Sequence, residues 1–274
     1  MTTLPSVTHT HPLPAEAQDK SAPRPMGWIS SLLHFGIPAA ATFAAFHAFR
    51  PWLEQRGYDP LTSYLGALCV PLALLFAAAL IGYHNVEGRP LTWQAFAERM
   101  RYPRLRGRDW LWGLAIFAGG SIGYGILSQA VLALIRAGWM PLPANLPAIA
   151  DPQAVFSIES INQAAGGAIR GRWEIAVLYL VVFFFNIAGE ELWWRGYVLP
   201  KQELAFGRTT WLVHGTLWAA FHVFKWWDVL ALLPICLLIA LASQKLRTNW
   251  PALIAHALMN GLGVVGLIAL IAGS

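Results

Sequence analysis

The chain has 274 residues, of which 57 % are hydrophobic and 12 % charged, and its formal net charge is +5. A soluble globular domain carries about twice that charged share, so the composition excludes one. Two cysteines, Cys69 and Cys236, both inside apolar runs, exclude a disulfide framework and a cysteine-based metal site.

Met1 to Pro25 is rich in Pro, Thr and Ala and cannot bury a core, so residues 1–25 are expected to be a disordered, cytoplasmic tail. It has no basic segment leading into an apolar one, as a secretory signal would, and the first apolar run is expected to act as an uncleaved anchor. Runs free of charge follow at Gly27–Phe49, Leu61–Tyr83 and Trp110–Ile135, each long enough to cross an apolar core of about 30 Å. The fourth, Trp173–Trp194, is interrupted by Glu174 and by the pair Glu190-Glu191. Thr209–Phe224, Val229–Ser243 and Trp250–Ala272 complete a set of seven. The expected fold is all-α: a polytopic transmembrane helical bundle of about seven spans. Its expected parts are residues 26–172, with helices 1–3 and their loops, and residues 173–274, with helices 4–7 of the same bundle. No internal repeat and no nucleic-acid motif is present.

The positive-inside rule gives the orientation. One face would carry thirteen Lys and Arg residues, six of them between Gly88 and Arg108, and the other face six. The richer face is expected to be cytoplasmic, and the N-terminus with it. Within that loop, Trp93, Phe96 and Met100 recur at helical spacing. Thr92–Met100 is expected either to lie in the headgroup plane or to be a solvated basic loop.

A charge at bilayer depth costs about 2.5 kcal/mol or more, so Glu190, Glu191 and Arg195 need partners or a purpose. Glu191 and Arg195, at i and i+4, share a helical face and form a local ion pair. Glu190 points about 100° away and has no local counter-ion. The fifth span holds Trp218-Ala-Ala-Phe-His222, and the seventh holds His256-Ala-Leu-Met-Asn260. His34, His47, His84 and His214 read as helix–helix or interfacial hydrogen-bonding residues. At about 1.5 Å per residue, Glu190, His222, His256 and Asn260 fall within a turn or two of one another, with His222 the least comfortable fit. They are expected to line one polar cavity opening towards the cytoplasm.

Glu-Glu-x-x-x-Arg, aromatic-x-x-x-His and His-x-x-x-Asn, in this order on successive helices, resemble the CAAX protease and bacteriocin-processing (CPBP, Abi) family of intramembrane glutamic endopeptidases. The resemblance covers about Trp173–Leu267 and includes Gly196-Tyr197. It departs at Trp218, where the family usually has Phe. The resemblance implies an endopeptidase acting on a membrane-associated protein or peptide substrate, without a cofactor or metal. Residues 173–274 would then be the catalytic part. Peptide hydrolysis needs a nucleophile, proton transfer and oxyanion stabilisation. No Ser or Cys stands with a convincing His and acid, so an activated water is the nucleophile. Glu190 would be the general base and His222 would hold the water. His256 and Asn260 receive the oxyanion role from the resemblance. Glu191, Arg195 and Trp218 are structural or orienting. Three alternatives remain open at this point. One is a zinc-dependent protease using Glu190, His222 and His256. Another is a non-catalytic immunity or scaffold protein whose polar cluster only joins helices. The third, a proton relay or transporter, would favour motifs repeated in two halves. Lipid is the expected partner alongside the substrate, nucleic acid is not, and the composition suits a bacterial inner membrane.

Overall fold

The computed structural model describes residues 23–273 apart from positions 145 and 156, so most of the expected N-terminal tail lies outside the described residues. In chain order the helices are α1 (Trp28–Gln55), α2 (Pro60–Val86), a short α3 (Trp93–Arg99), α4 (Gly107–Arg136) and a short α5 (Ile158–Ala164). Next comes α6 (Trp173–Glu190), which continues through a π-helical stretch, Glu191–Val198, into α7 (Leu199–Phe206). Then follow α8 (Thr210–Phe221), α9 (Val229–Leu246) and α10 (Trp250–Ala272).

Among the described residues six helical segments are long and apolar enough to cross a membrane, and one of them, Trp173–Lys225, is 53 residues long and doubles back on itself. Gly207 reverses it, with φ +56° and ψ −125°, a conformation that a side chain would strain. Beyond Gly207 the chain runs back along itself. His214 Nδ1 meets Gln202 Oε1 at 2.7 Å, and Trp218 donates to Glu190 further along both strands of this hairpin. The result is a polytopic helical bundle, in line with the expectation of about seven spans. The fourth expected span is too short, because its helix runs on from Trp194 to Phe206 and is buried as far as Gln202.

Between helices in lipid, close packing replaces the hydrophobic drive available in water, so small residues mark the contacts. α2 packs along α6, α9 lies against α4 and α8, and α10 lies against α4 and α6. Gly189 is the tightest point of the first pair: a Cβ there would stand 2.7 Å from the Leu72 carbonyl oxygen. At Gly215 a Cβ would stand 2.9 Å from Leu237 Cα, which seats α8 on α9. Individual turns follow local chemistry. Asp59 caps α2 by accepting from the Thr62 amide and hydroxyl, both at 2.8 Å, ahead of Pro60.

The loop after α2 is neither a solvated basic loop nor a simple headgroup helix. Thr92 caps α3, whose outer side leaves Trp93 68 % exposed, but Arg99 and Met100 turn inward and are buried. Arg99 grips both Glu87 oxygens, at 2.7 and 2.6 Å, and donates to the Gly196 carbonyl at 2.7 Å. Lys201 Nζ lies 3.0 Å from the same Glu87 and 3.6 Å over the Tyr197 ring. Met100 fills the notch beside Gly196. The loop after α3 is tied to the start of α10, where the Asn249 side chain donates to the Met100 carbonyl at 2.8 Å.

Replacing Gly189 with Val drives a side chain into the Leu72 backbone, which cannot swing away as a side chain could. Such overpacking costs about 1–3 kcal/mol or more. The expected outcome is a lower melting temperature in detergent and an aggregated fraction on size-exclusion chromatography. The ion cluster predicts a pH dependence. Burial pushes the Glu87 carboxyl up, but Arg99 and Lys201 outweigh it and hold the carboxyl below its ordinary value of 4.5. A depressed folded-state value means that the cluster stabilises the fold fully above the unfolded value. That stabilisation is lost as pH falls through the folded one. The melting temperature should therefore fall as the pH is taken below about 4.5, and Glu87→Gln should start lower and show a flatter profile over that range.

Candidate active site

The sequence element Glu-Glu-x-x-x-Arg straddles the point where α6 widens into the π-helical stretch, and both glutamates are buried, Glu190 2 % and Glu191 0 % exposed. Adjacent positions on a helix face different neighbours, and here they meet different helices. Glu190 looks towards α8. Its Oε2 accepts from the Trp218 indole Nε1 at 2.7 Å, and its Oε1 accepts from Asn186 Nδ2, one turn back on α6, at 2.7 Å. Glu190 therefore has no cation beside it but is not unpartnered: two neutral donors hold the carboxylate.

Glu191 looks towards α10. His256 Nδ1 lies 2.8 Å from its Oε1, and Arg195 Nη2 lies 3.4 Å from the same oxygen. The ion pair with Arg195 is as expected, whereas the pairing with His256 was not foreseen. Arg195 has no exposed surface, and its guanidinium carbon stands 3.4 Å from the centre of the Trp218 ring. A cation over an indole face is favoured by the ring quadrupole, most strongly where water is excluded.

Trp218 thus joins the two glutamates. Its N–H binds Glu190, its ring face carries Arg195, and its carbonyl meets His222 Nδ1 at 2.9 Å. The His222 and His256 rings stand edge-on to it, 5.9 and 5.5 Å away between centroids. Trp218 does more than pack, and a Phe at this position would lack the donor to Glu190.

The partners also set the tautomers. A carbonyl only accepts, so His222 carries its proton on Nδ1 and leaves Nε2 as an acceptor when neutral. The Glu191 carboxylate likewise accepts, so His256 holds a proton on Nδ1. Asn260 Nδ2 makes a long contact to the His256 carbonyl, at 3.4 Å, and leaves an N–H free.

Glu190, His222, His256 and Asn260 line one cavity of about 380 Å³, with Trp218 and Asn186 in its wall. The structure brings the four expected side chains together, including His222. It alters the expected direction of the opening. The cavity extends from the motif residues past Tyr179 to Tyr64, Tyr124, Lys225 and Asp228, near the turn between α8 and α9. None of its lining comes from α7 or the loop after α2. It therefore reaches towards the face poorer in Lys and Arg. The reason is that α7, Arg99 and Met100 fill the other end. At the far end Lys225 Nζ pairs with Asp228 at 3.0 Å, and the Tyr124 hydroxyl donates to Asp228 at 2.9 Å.

Among the described residues no three His, Cys, Asp or Glu side chains are placed to hold a metal ion. His256 is turned onto Glu191, and Glu190 onto Trp218 and Asn186. Other histidines among the described residues meet backbone carbonyls: His47 meets that of Phe224 at 2.8 Å, and His34 meets that of Ser30 at 2.7 Å. His84 meets the Arg89 carbonyl at 2.8 Å. Asn186 and Arg99 were missed. Asn186 had a signal, a lone amide one turn before Glu190 in an apolar run. Arg99 had none that distinguished it from its basic neighbours.

Comparison with known proteins bears on residues 172–262, which match the family model described as type II CAAX prenyl endopeptidase, Rce1-like. No curated protein and no solved structure matches the chain. The matched residues run from the start of α6 into α10 and contain every motif residue named above. Residues 172–262 are thus similar to the Rce1-like type II CAAX prenyl endopeptidases, in line with the resemblance that the three motifs carry.

Proposed function

We propose that the protein is an intramembrane endopeptidase that hydrolyses a peptide bond of a membrane-associated protein or peptide with a water activated by Glu190. The observation that carries this reading is the convergence of Glu190, His222, His256 and Asn260, from three helices, on one cavity inside a bundle of apolar spans. Ionisable groups in a membrane protein gather where a pathway or a reaction needs them.

Glu190 supplies the base. Its two donors leave lone pairs free on both carboxylate oxygens to take a proton from water. His222 Nε2 accepts a hydrogen bond from the other water O–H and orients the nucleophile. As the water attacks, the carbonyl oxygen gains charge, and Asn260 Nδ2 donates to it, with His256 beside it. Glu191 orients the His256 ring, and Arg195 steadies Glu191. Protonated Glu190 then passes its proton to the leaving amine. This scheme involves no metal and no cofactor. A bacterial inner membrane with the Lys- and Arg-rich face in the cytoplasm fits it.

The decisive experiment incubates purified protein with a peptide library in detergent and compares wild type with Glu190→Ala. Cleavage by wild type that drops about 10²–10⁴-fold in the variant supports the base, as does a loss of about 10²–10³-fold in Asn260→Ala for an oxyanion donor. No cleavage by wild type of any peptide, together with a stable fold, points instead to a non-catalytic membrane protein. Activity should survive EDTA and 1,10-phenanthroline. Activity lost to chelator and restored by stoichiometric Zn²⁺ would recast Glu190, His222 and His256 as ligands.

The two glutamates should also fail differently. Glu190→Gln keeps an acceptor for Trp218 or Asn186 and should melt within a few degrees of wild type while losing cleavage. Glu191→Gln leaves Arg195 buried without its counter-charge, a loss of about 3–5 kcal/mol for a broken buried pair. Equal melting temperatures for Glu191→Gln and wild type in one detergent would contradict this division.

A further inference from the structure

The loop that follows α3 presents a surface with no partner in the bundle. Arg104, Arg106 and Arg108 are exposed, and no acidic side chain pairs with them among the described residues. Exposed apolar groups that water would not favour precede and follow them in the chain: Leu91 is 73 % exposed, Trp93 68 % and Trp110 50 %. Glu98 is the exposed acid on α3, one against three cations. Apolar side chains beside unpaired arginines, at the end of several spans, match the boundary of a bilayer whose headgroups are anionic. Each such cation is attracted to an anionic surface, while the Trp and Leu side chains enter the acyl boundary.

The inner side of the same element is joined to the candidate site. Arg99 donates to the Gly196 carbonyl, and Met100 fills the notch at Gly196, within the π-helical stretch that carries Glu191 and Arg195. Four residues separate the buried clamp at Arg99 from the exposed Arg104. We propose that α3 and the loop after it form a docking surface for anionic lipid headgroups, and that lipid held there steadies the π-helical stretch through Arg99 and Met100.

The partner is a lipid surface rather than a free anion, because exposed Trp and Leu side chains flank the arginines and a free anion would leave them uncovered. Hydrogen exchange read by mass spectrometry tests this on the full chain in nanodiscs, with no substrate needed, so its outcome does not depend on the protease reading. The lipids are phosphatidylcholine alone and phosphatidylcholine with phosphatidylglycerol. Phosphatidylglycerol should slow exchange severalfold in 93–108 and also in 191–198. The triple variant Arg104→Gln, Arg106→Gln, Arg108→Gln should lose that slowing while matching wild type in phosphatidylcholine. Equal exchange in the two lipids would overturn the proposal, as would a triple variant that keeps the response. Inorganic phosphate reproducing the effect in phosphatidylcholine nanodiscs would mean a free-anion site and also overturn it. Slowing confined to 93–108 would refute the link to the π-helical stretch. Trp93→Ala, which leaves the arginines in place, should weaken the response without abolishing it. An unchanged response in that variant would remove the bilayer argument.

Discussion

A guanidinium with no exposed surface, inside a helix hairpin that crosses lipid, constrains everything around it. Arg195 cannot reach water, and in this bundle it is held by a carboxylate oxygen 3.4 Å away and by an indole face 3.4 Å from its carbon. The Glu191 carboxylate is drawn in with it, and His256 joins them because its Nδ1 proton finds an acceptor there. Trp218 is fixed from above by the cation, so its N–H can point in one direction only, and Glu190 lies in that direction. The order of dependence runs from a buried charge that needs compensation to a neighbouring carboxylate with no counter-ion. That second carboxylate can stay near the bundle centre because neutral donors, rather than a cation, hold it.

The π-helical stretch gives this arrangement its reach. Closing rings between i and i+5 takes an extra residue per turn and rotates the helix beyond the widened turn relative to the helix before it. Such turns are usually single, and eight residues of it call for support from outside. Three neighbours supply it. Gly82 lies against the Tyr197 ring so closely that a Cβ would sit 2.6 Å from it, Met100 fills the space at Gly196, and Arg99 binds the Gly196 carbonyl. Gly196 and Tyr197, which also belong to the family resemblance, are the places where α2 and α3 grip the widened turn.

Much of this was legible in the sequence, for reasons of different strength. The spans could be read because each is a long apolar run, and hydrocarbon tolerates little else. The four cavity residues could be found because polar groups at bilayer depth are few. Their meeting followed from rise per residue and the alternation of direction. The hidden features depend on rotation about a helix axis or on distant pairing. Glu191 could be seen to share a face with Arg195, but that the face also meets His256 depends on how α10 packs against α6. Arg99 looked like one more cation in a run, and its burial comes from Glu87, twelve positions earlier, and Gly196, ninety-seven later. The direction of the cavity escapes arithmetic on helical rise, which places the motif residues in depth and nothing else. Such arithmetic takes no account of α7 closing one end or of Lys225 and Asp228 lying at the other.

The adjacent glutamates show most plainly how position rather than residue type divides the labour. Chemically they are identical, and each has two oxygens to satisfy within the bundle. Glu191 meets a cation and an imidazole, so its charge is committed to neighbours on α10 and in the π-helical stretch. Glu190, about 100° round the axis, meets an amide and an indole N–H, which bind a carboxylate without neutralising it. One therefore anchors helices, and the other stands at the wall of a cavity. Exchanging their surroundings would need α8 and α10 to exchange places against α6. The close backbone contact at Gly215, where α8 meets α9, resists that exchange.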